Sequence, residues 1–172
     1  MEPVEINAGG YYLRQFRADR LMDDRPALVA AFADPLMRRF VPDYTIDTLD
    51  AAGDYVRRRA EEWHCDRRYS WAIAEPTTGD LLGEVGLKNL DHGGGNAEIA
   101  VWIAPSARGR GIATTAVDTV VRFGFGALGL REIGYNHDPD NDASRAVAQR
   151  CGFTRAGKQG RDLRWHRRAG TP

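Results

Sequence analysis

Residues 97–116 read Ala97-Glu98-Ile99-Ala100-Val101-Trp102-Ile103-Ala104-Pro105-Ser106-Ala107-Arg108-Gly109-Arg110-Gly111-Ile112-Ala113-Thr114-Thr115-Ala116. Up to Ile103 the residues have the period of two of a strand, with Glu98, Ala100 and Trp102 on one face and Ile99, Val101 and Ile103 on the other. Pro105 ends that pattern, and Arg108 to Gly111 is a glycine-rich turn. Ala113, Ala116, Val117, Val120, Val121 and Gly124 then recur at helical spacing, a narrow apolar face suited to packing on a sheet. Glu132 to His137 reads as the next strand. Strand, glycine loop, long helix and strand make a βαβ unit, and the rest of the chain is placed around it.

Toward the N-terminus, Leu81 to Leu90 and Tyr69 to Glu75 read as strands joined by the turn Pro76–Asp80, with Asp91–Asn96 as a loose hairpin loop. The middle of the chain is therefore an antiparallel meander. Before it, Leu49 to His64 has Leu49, Ala52, Tyr55, Val56 and Ala60 near helical spacing, and Arg57, Arg58, Arg59, Glu61 and Glu62 read as a solvated face. Asp23-Asp24-Arg25-Pro26 opens an earlier helix that Asp34-Pro35 is expected to stop, and Tyr11 to Arg17 reads as a first strand. Toward the C-terminus, Asn141 to Arg150 is a short helix closed at Gly152, and Phe153 to Arg168 supplies one or two more strands. The expected fold class is α/β (α+β), in one domain over residues 1–172.

Composition narrows the function classes. With 172 residues, 42% hydrophobic and 28% charged, the chain has the composition of an ordinary globular domain rather than a disordered or fibrous one. Lys+Arg and Asp+Glu both total 24, which argues against a nucleic-acid coat or a polybasic membrane binder. The cysteines, Cys65 and Cys151, have no metal-ligand spacing, and His64, His92, His137 and His166 are isolated, so no metal is expected. No apolar stretch reaches the roughly 20 residues of a membrane span, and the first residues lack the layout of a secretory signal. The expected setting is cytoplasmic, with no membrane partner.

The turn Arg108–Gly111 carries the chemistry. Glycines permit close backbone approach, and a helix N-terminus offers unpaired N–H groups and a favourable dipole to an anion. Arg108 and Arg110 add charge. No Gly-Lys-Ser/Thr ends the segment, so it is not a P-loop, and Thr114 stands where the dinucleotide fingerprint wants Gly or Ala. Phosphate site or plain connection, the residues alone leave both readings open.

Arg108-x-x-Gly111-x-Ala113 resembles the Q/R-x-x-G-x-G/A signature of the GNAT acyl-CoA N-acyltransferases. Ala97 to Thr114, Phe123-Gly-Phe125, Leu128-Gly-Leu-Arg-Glu-Ile133, Asp138-Pro-Asp-Asn-Asp-Ala-Ser-Arg145 and Cys151-Gly-Phe-Thr-Arg-Ala-Gly157 are similar to the RimJ/RimL-type ribosomal-protein acetyltransferases. The resemblance runs from Tyr69 to Gly157. It implies the GNAT fold, a central mixed, mostly antiparallel sheet with a splayed middle strand and flanking helices. It implies acetyl-CoA as co-substrate, its pantetheine arm paired with the backbone of Val101, Trp102 and Ile103. The pyrophosphate would lie against Arg108, Gly109, Arg110, Gly111, Ile112, Ala113 and Thr114, with Asn141 and Ser144 at the pantetheine arm.

The implied reaction moves an acetyl group to a primary amine by direct attack in a ternary complex. Proton removal from the amine needs a base, and the leaving thiolate is helped by a donor. Glu98 is the expected base and Glu84 the second candidate, with a structural role for Glu98 as the alternative. Seven residues after Asn141, where many family members carry a tyrosine donor, this chain has Ala148, which leaves Ser144. Cys151 fits a packed helix end better than a catalytic thiol. Rival readings are transfer of a larger acyl group such as succinyl, and a CoA-binding regulatory module with little turnover. A nucleic-acid module resting on Arg155, Lys158, Arg161, Arg164, Arg167 and Arg168 ranks last. The expected partner is an amine acceptor, a protein N-terminus or a small molecule. A homodimer is common among such relatives, and Gly93–Gly95 is a candidate flap over the acceptor.

Overall fold

The computed structural model describes residues 1–170. Its strands, β1 (Ile6–Asn7), β2 (Tyr12–Arg14), β3 (Tyr69–Ala74), β4 (Leu81–Asp91), β5 (Asn96–Ile103), β6 (Glu132–His137), β7 (Thr154–Gln159) and β8 (Asp162–Arg168), form one sheet in the order β1-β2-β3-β4-β5-β6-β8-β7. All neighbours are antiparallel except β5 and β6. That parallel pair needs a crossover, which the helix α4 (Ile112–Gly126) provides. The remaining helices are α1 (Arg25–Phe32), α2 (Pro35–Phe40), α3 (Leu49–His64) and α5 (Asp142–Arg150). No helix among the described residues is long and apolar enough to cross a membrane.

The sheet is covered on both faces, but unequally. On one face, Trp71, Ile73, Val85, Leu87, Ile99 and Ile133 meet Val117, Val120 and Val121 of α4, and Val147 and Ala148 of α5 join the same core. On the other, Ala72, Leu81 and Trp102 meet Leu28 and Phe32 of α1, Met37 of α2, and Ala52 and Tyr55 of α3. Alternation along the strands sends successive side chains into these two separate clusters.

Three sequence expectations change in the first half. Asp34-Pro35 ends α1 but also begins α2. Asp34 caps it by accepting from the Met37 amide at 3.1 Å, and proline fits the first helical turn because it has no N–H to lose. The charged face of α3 is not all solvated, since Arg59 is 2% exposed. The strand expected first, over Tyr11–Arg17, is β2, preceded by β1 and confined to Tyr12–Arg14: Arg14 turns inward to a two-pronged bond with Asp24 (2.8 and 2.8 Å), and Asp24 also accepts from the Arg17 amide at 2.8 Å.

One feature of the sheet positions the site. β5 and β6 pair only over Asn96–Ile99 and Glu132–Tyr135, and Ile99 opposite Tyr135 is the last rung. On its other edge β5 stays paired with β4 up to Ile103 opposite Gly83. Beyond Ile99 the two parallel strands fork.

Candidate active site

The glycine loop lies at the open end of the fork. Gly109 and Gly111 have φ of +77° and +74°, a left-handed backbone that favours glycine, and a Cβ at either would meet no atom within 4 Å. Gly111 is the N-cap of α4 and has no side chain to cap with, so the first amides, those of Ile112, Ala113 and Thr114, present unpaired N–H groups. Space and donors coincide, as a phosphate-bearing ligand requires. Arg108 donates to Asp34 at 2.7 Å, and this bond holds the Asp34 carboxyl below its ordinary range. Arg110 reaches Glu75 at 3.5 Å. Both arginines are thus held beside the loop by acids from other elements.

The backbone of Val101, Trp102 and Ile103 is bound to β4 on one edge, while the edge toward β6 has no strand partner. An extended ligand bearing amides is complementary to that edge. At the start of α5, Asn141 accepts from the Ser144 amide at 3.0 Å through Oδ1, so the amide NH2 is the end left for a ligand. Because β5 and β6 run parallel, the loop that follows β5 and the start of α5 that follows β6, with Asn141 and Ser144, lie at the same end of the sheet as the unpaired edge.

The two candidate bases separate sharply. Glu84 is fully buried and accepts from Arg59 Nε (2.8 Å), Arg68 Nη2 (2.8 Å), Trp102 Nε1 (3.0 Å) and the Tyr55 hydroxyl. Burial pushes its carboxyl up, but the Arg59 and Arg68 charges outweigh that and hold it down at about 2. With its lone pairs engaged and no path to solvent, Glu84 is a structural anion and not the base. Its partners from α3 were invisible in the sequence, where Arg59 looked like one charge among several.

Glu98 lies on the same sheet face with a different setting. Lys88, directly across on β4, pairs with it at 2.8 Å, and Asn89 donates to it at 3.3 Å. It lines a cavity of about 270 Å³ with Asn136, Glu132, Gln159 and Arg164, and Gly134 opposite it on β6 leaves that space open. Asn136 donates to Gln159 at 3.0 Å, but its buried Oδ1 has no partner. The cavity sits below the fork, on the face away from α4 and α5.

On the α5 side, Tyr135 is 2% exposed, and its hydroxyl has no hydrogen-bond partner. The nearest polar side chain acting on it is Ser144, and burial pushes the phenol up to about 12. Strand alternation could have placed Tyr135 and Asn136 on opposite faces of β6, but neither orphaned atom is readable without the tertiary neighbours. Cys151 caps the end of α5, is buried, and its Sγ lies 3.4 Å from the Thr114 carbonyl. Burial raises its thiol to about 11, which suits packing rather than nucleophilic work.

Two weaker expectations also find their places. The Gly93–Gly95 loop is tied down, contrary to a mobile flap: Arg131 donates to the Gly94 carbonyl at 2.8 Å, the Arg131 amide to Gly95 at 2.6 Å, and the Gly94 amide to Asp91 at 2.8 Å. Its glycines serve a tight turn whose carbonyls face Arg131. In the basic tail, Arg161, Arg167 and Arg168 reach Asp138 (3.6 Å), Asp118 (3.3 Å) and Glu132 (2.8 Å), so much of that charge is answered within the fold. Among the described residues no three His, Cys, Asp or Glu side chains converge as a metal site.

Comparison with known proteins agrees with this geometry. The family model described as Acetyltransferase (GNAT) domain matches residues 12–154. The chain is 29% identical over 134 residues to the uncharacterised N-acetyltransferase YoaA of Bacillus subtilis, a span of 78% of this chain and 76% of that protein. It is 27% identical over 94 residues to spermidine N(1)-acetyltransferase of Vibrio cholerae, covering 55% of this chain and 53% of that one. The fold superposes on Mycobacterium smegmatis RimJ, solved in complex with CoA-disulfide, with a TM-score of 0.83 at 24% identity, over 98% of this chain and 88% of that one.

Proposed function

The chain belongs to the GNAT acetyltransferase family, and from that premise we propose how its forked sheet divides the reaction between two faces. As a member it is an acyl-CoA-dependent N-acetyltransferase, moving an acetyl group from acetyl-CoA to an amine. We read residues 1–172 as one catalytic domain.

In this reading the co-substrate is held on the side of α4 and α5. The amides of Gly109 to Thr114, with Arg108 and Arg110, take the pyrophosphate, and the edge of Val101, Trp102 and Ile103 takes the pantetheine arm with Asn141. When bound, acetyl-CoA supplies an activated thioester. Arg108 then exchanges Asp34 for a phosphate, a trade of one charged partner for another that keeps the binding cost low.

The amine enters from the opposite face, through the polar cavity. Glu98, paired with Lys88 at 2.8 Å, orients the ammonium and takes its proton on the way to solvent. The orphaned Oδ1 of Asn136 accepts a second hydrogen bond from the same nitrogen, which would satisfy a buried acceptor otherwise left unpaired. Ser144 stands on the sulfur side. Because the fork holds amine and thioester in one opening, positioning supplies much of the rate. The observation that carries the reading is this opening, with phosphate donors at one end and a carboxylate-lined cavity on the other face.

A cavity of about 270 Å³ admits the end of an amine chain rather than a whole folded partner. The acceptor is therefore the terminal amine of a protein N-terminus or of a small molecule. A cytoplasmic setting and a homodimer belong to the same reading. The test is a mass-spectrometric screen of amines and N-terminal peptides with acetyl-, propionyl- and succinyl-CoA. Acetylated product formed faster than the propionylated or succinylated one is expected. Absence of any acylated product, with CoA bound, would show a binding module instead.

A further inference from the structure

The polar cavity below the fork is lined by three charged side chains, Glu98, Glu132 and Arg164. Both acids are answered from within the fold, Glu98 by Lys88 at 2.8 Å and Glu132 by Arg168 at 2.8 Å. Arg164 is not: among the described residues it has no ion-pair or hydrogen-bond partner, although Arg167 and Arg168 of the same strand both have acids. Asp162, the only acid on β8, makes no ion pair with it. Its neighbour on β7 is Gly157, which has no side chain to bring. Glu132 feels the Arg164 charge, but its carboxyl is held low chiefly by the bond to Arg168. The cavity therefore carries one positive charge in excess. A second ammonium on the acceptor would meet a guanidinium there, not a free carboxylate.

Strand register fixes where that charge stands relative to the amine. Glu98 faces Gly134, Asn136 follows two residues along β6 on the same face, and Arg164 lies directly across from Asn136 on β8. Paired strands are about 5 Å apart, so a nitrogen held by the free Oδ1 of Asn136 lies within one arginine side chain of the guanidinium. An amine and an anion recognised together in this space belong to one small group, joined by few bonds.

We propose that Arg164 determines the acceptor class by binding a carboxylate that stands within a few bonds of the amine held by Glu98 and Asn136. The acceptor is then an amino acid, through its own carboxylate, or a peptide N-terminus whose first residue is acidic, and polyamines are excluded. This rests on the acetyltransferase reading above and narrows it. A planar guanidinium meets a carboxylate with two parallel N–H···O bonds, a fit that a point charge lacks.

The test compares the wild type with Arg164→Gln and Arg164→Glu. Arg164 is exposed, so both variants should keep a Tm near that of the wild type. The probes are the proteinogenic amino acids, their α-carboxamides, peptide amides beginning with aspartate or asparagine, and spermidine. Binding of each to the CoA-saturated protein is read by saturation-transfer NMR, and kcat and KM are measured with acetyl-CoA. The wild type should prefer the acid of at least one matched pair over its amide about tenfold, as expected for one charged hydrogen-bonded pair. Arg164→Gln should abolish that preference through the acceptor KM, with KM for acetyl-CoA unchanged within about twofold, and Arg164→Glu should turn it toward spermidine. Whether free amino acids or aspartate peptides bind better identifies the source of the carboxylate. Equal binding of acids and amides by the wild type would overturn the proposal. So would a preference that survives Arg164→Gln, spermidine as the best wild-type acceptor, or no binding by any probe. If acids bind in an Arg164-dependent way and none is acetylated, the acetyltransfer reading fails while the carboxylate site stands.

Discussion

Glu84 and Glu98 stand on neighbouring strands, on the same face of the same sheet, and they meet opposite surroundings. Glu84 lies opposite Trp102 and Glu98 opposite Lys88 in one continuous β4–β5 ladder. The sheet therefore treats them alike, and what distinguishes them is what lies above. α3 lowers Arg59 and Tyr55 onto Glu84, Arg68 adds a second guanidinium, and water is excluded. No helix covers Glu98, which faces a polar cavity and one partly exposed lysine. A carboxylate becomes structural when its lone pairs are all spent on buried donors, and stays available when one face is open. Residue type and strand position do not decide between these fates.

The comparison breaks most visibly at Glu84. Glu84→Gln takes from buried Arg59 the inner of its two carboxylate partners, Glu62 staying at 2.8 Å, and losing one partner of a buried pair costs about 3–5 kcal/mol. Urea unfolding should show that loss, with CoA affinity failing only in proportion to unfolded protein. A variant as stable as wild type would mean the cluster is not a cornerstone of the fold.

Acid titration probes the same anion without mutation. The folded carboxyl of Glu84 is lowered to about 2 from an ordinary 4.5. Because the folded value lies below the unfolded one, its stabilisation is complete above 4.5 and is lost as pH falls from 4.5 toward 2. The shift corresponds to about 3 kcal/mol at most. Stability measured across that window should fall in the wild type more steeply than in Glu84→Gln, and equal slopes would contradict the assignment.

Glu98→Gln should give the reverse pattern. We expect kcat to drop about a hundredfold, as for loss of a general base, while stability changes by about 1 kcal/mol or less and the CoA-induced rise in Tm survives. Wild-type rates across the pH range would remove Glu98 from the mechanism and leave it as a cross-strand ion pair. The smallest effect belongs to Lys88→Met. A pair this exposed contributes about 0–1 kcal/mol, so stability should barely move, and the rate should change less than tenfold. A loss as large as that at Glu84 would erase the contrast between the two glutamates.

Much of the molecule was legible from short-range rules. Pro105, the glycines at 109 and 111 and the helical spacing from Ala113 to Gly124 are local signals, set by backbone sterics within a few residues, and the strand–loop–helix they announced is present. The Asn141 cap and the β6 boundaries were equally local. Asp34-Pro35 misled because one dipeptide both stops and starts a helix, and a local rule cannot choose between the two. The Gly93–Gly95 loop misled for the converse reason: its restraint comes from Arg131, far along the chain.

What the sequence determined by itself was the period of the elements around the glycine turn and the turn itself, since these depend on neighbours in the chain. Tertiary structure alone decided which glutamate is spent and which is open, because Glu84 meets Arg59 across 25 residues of separation and Arg68 across 16. It also decided where β5 leaves β6, and hence that Tyr135 and Asn136 place an unpaired donor and an unpaired acceptor at one fork. Burial and hydrogen-bond satisfaction are properties of groups brought together in space, and no periodicity along a chain encodes which distant partner will arrive.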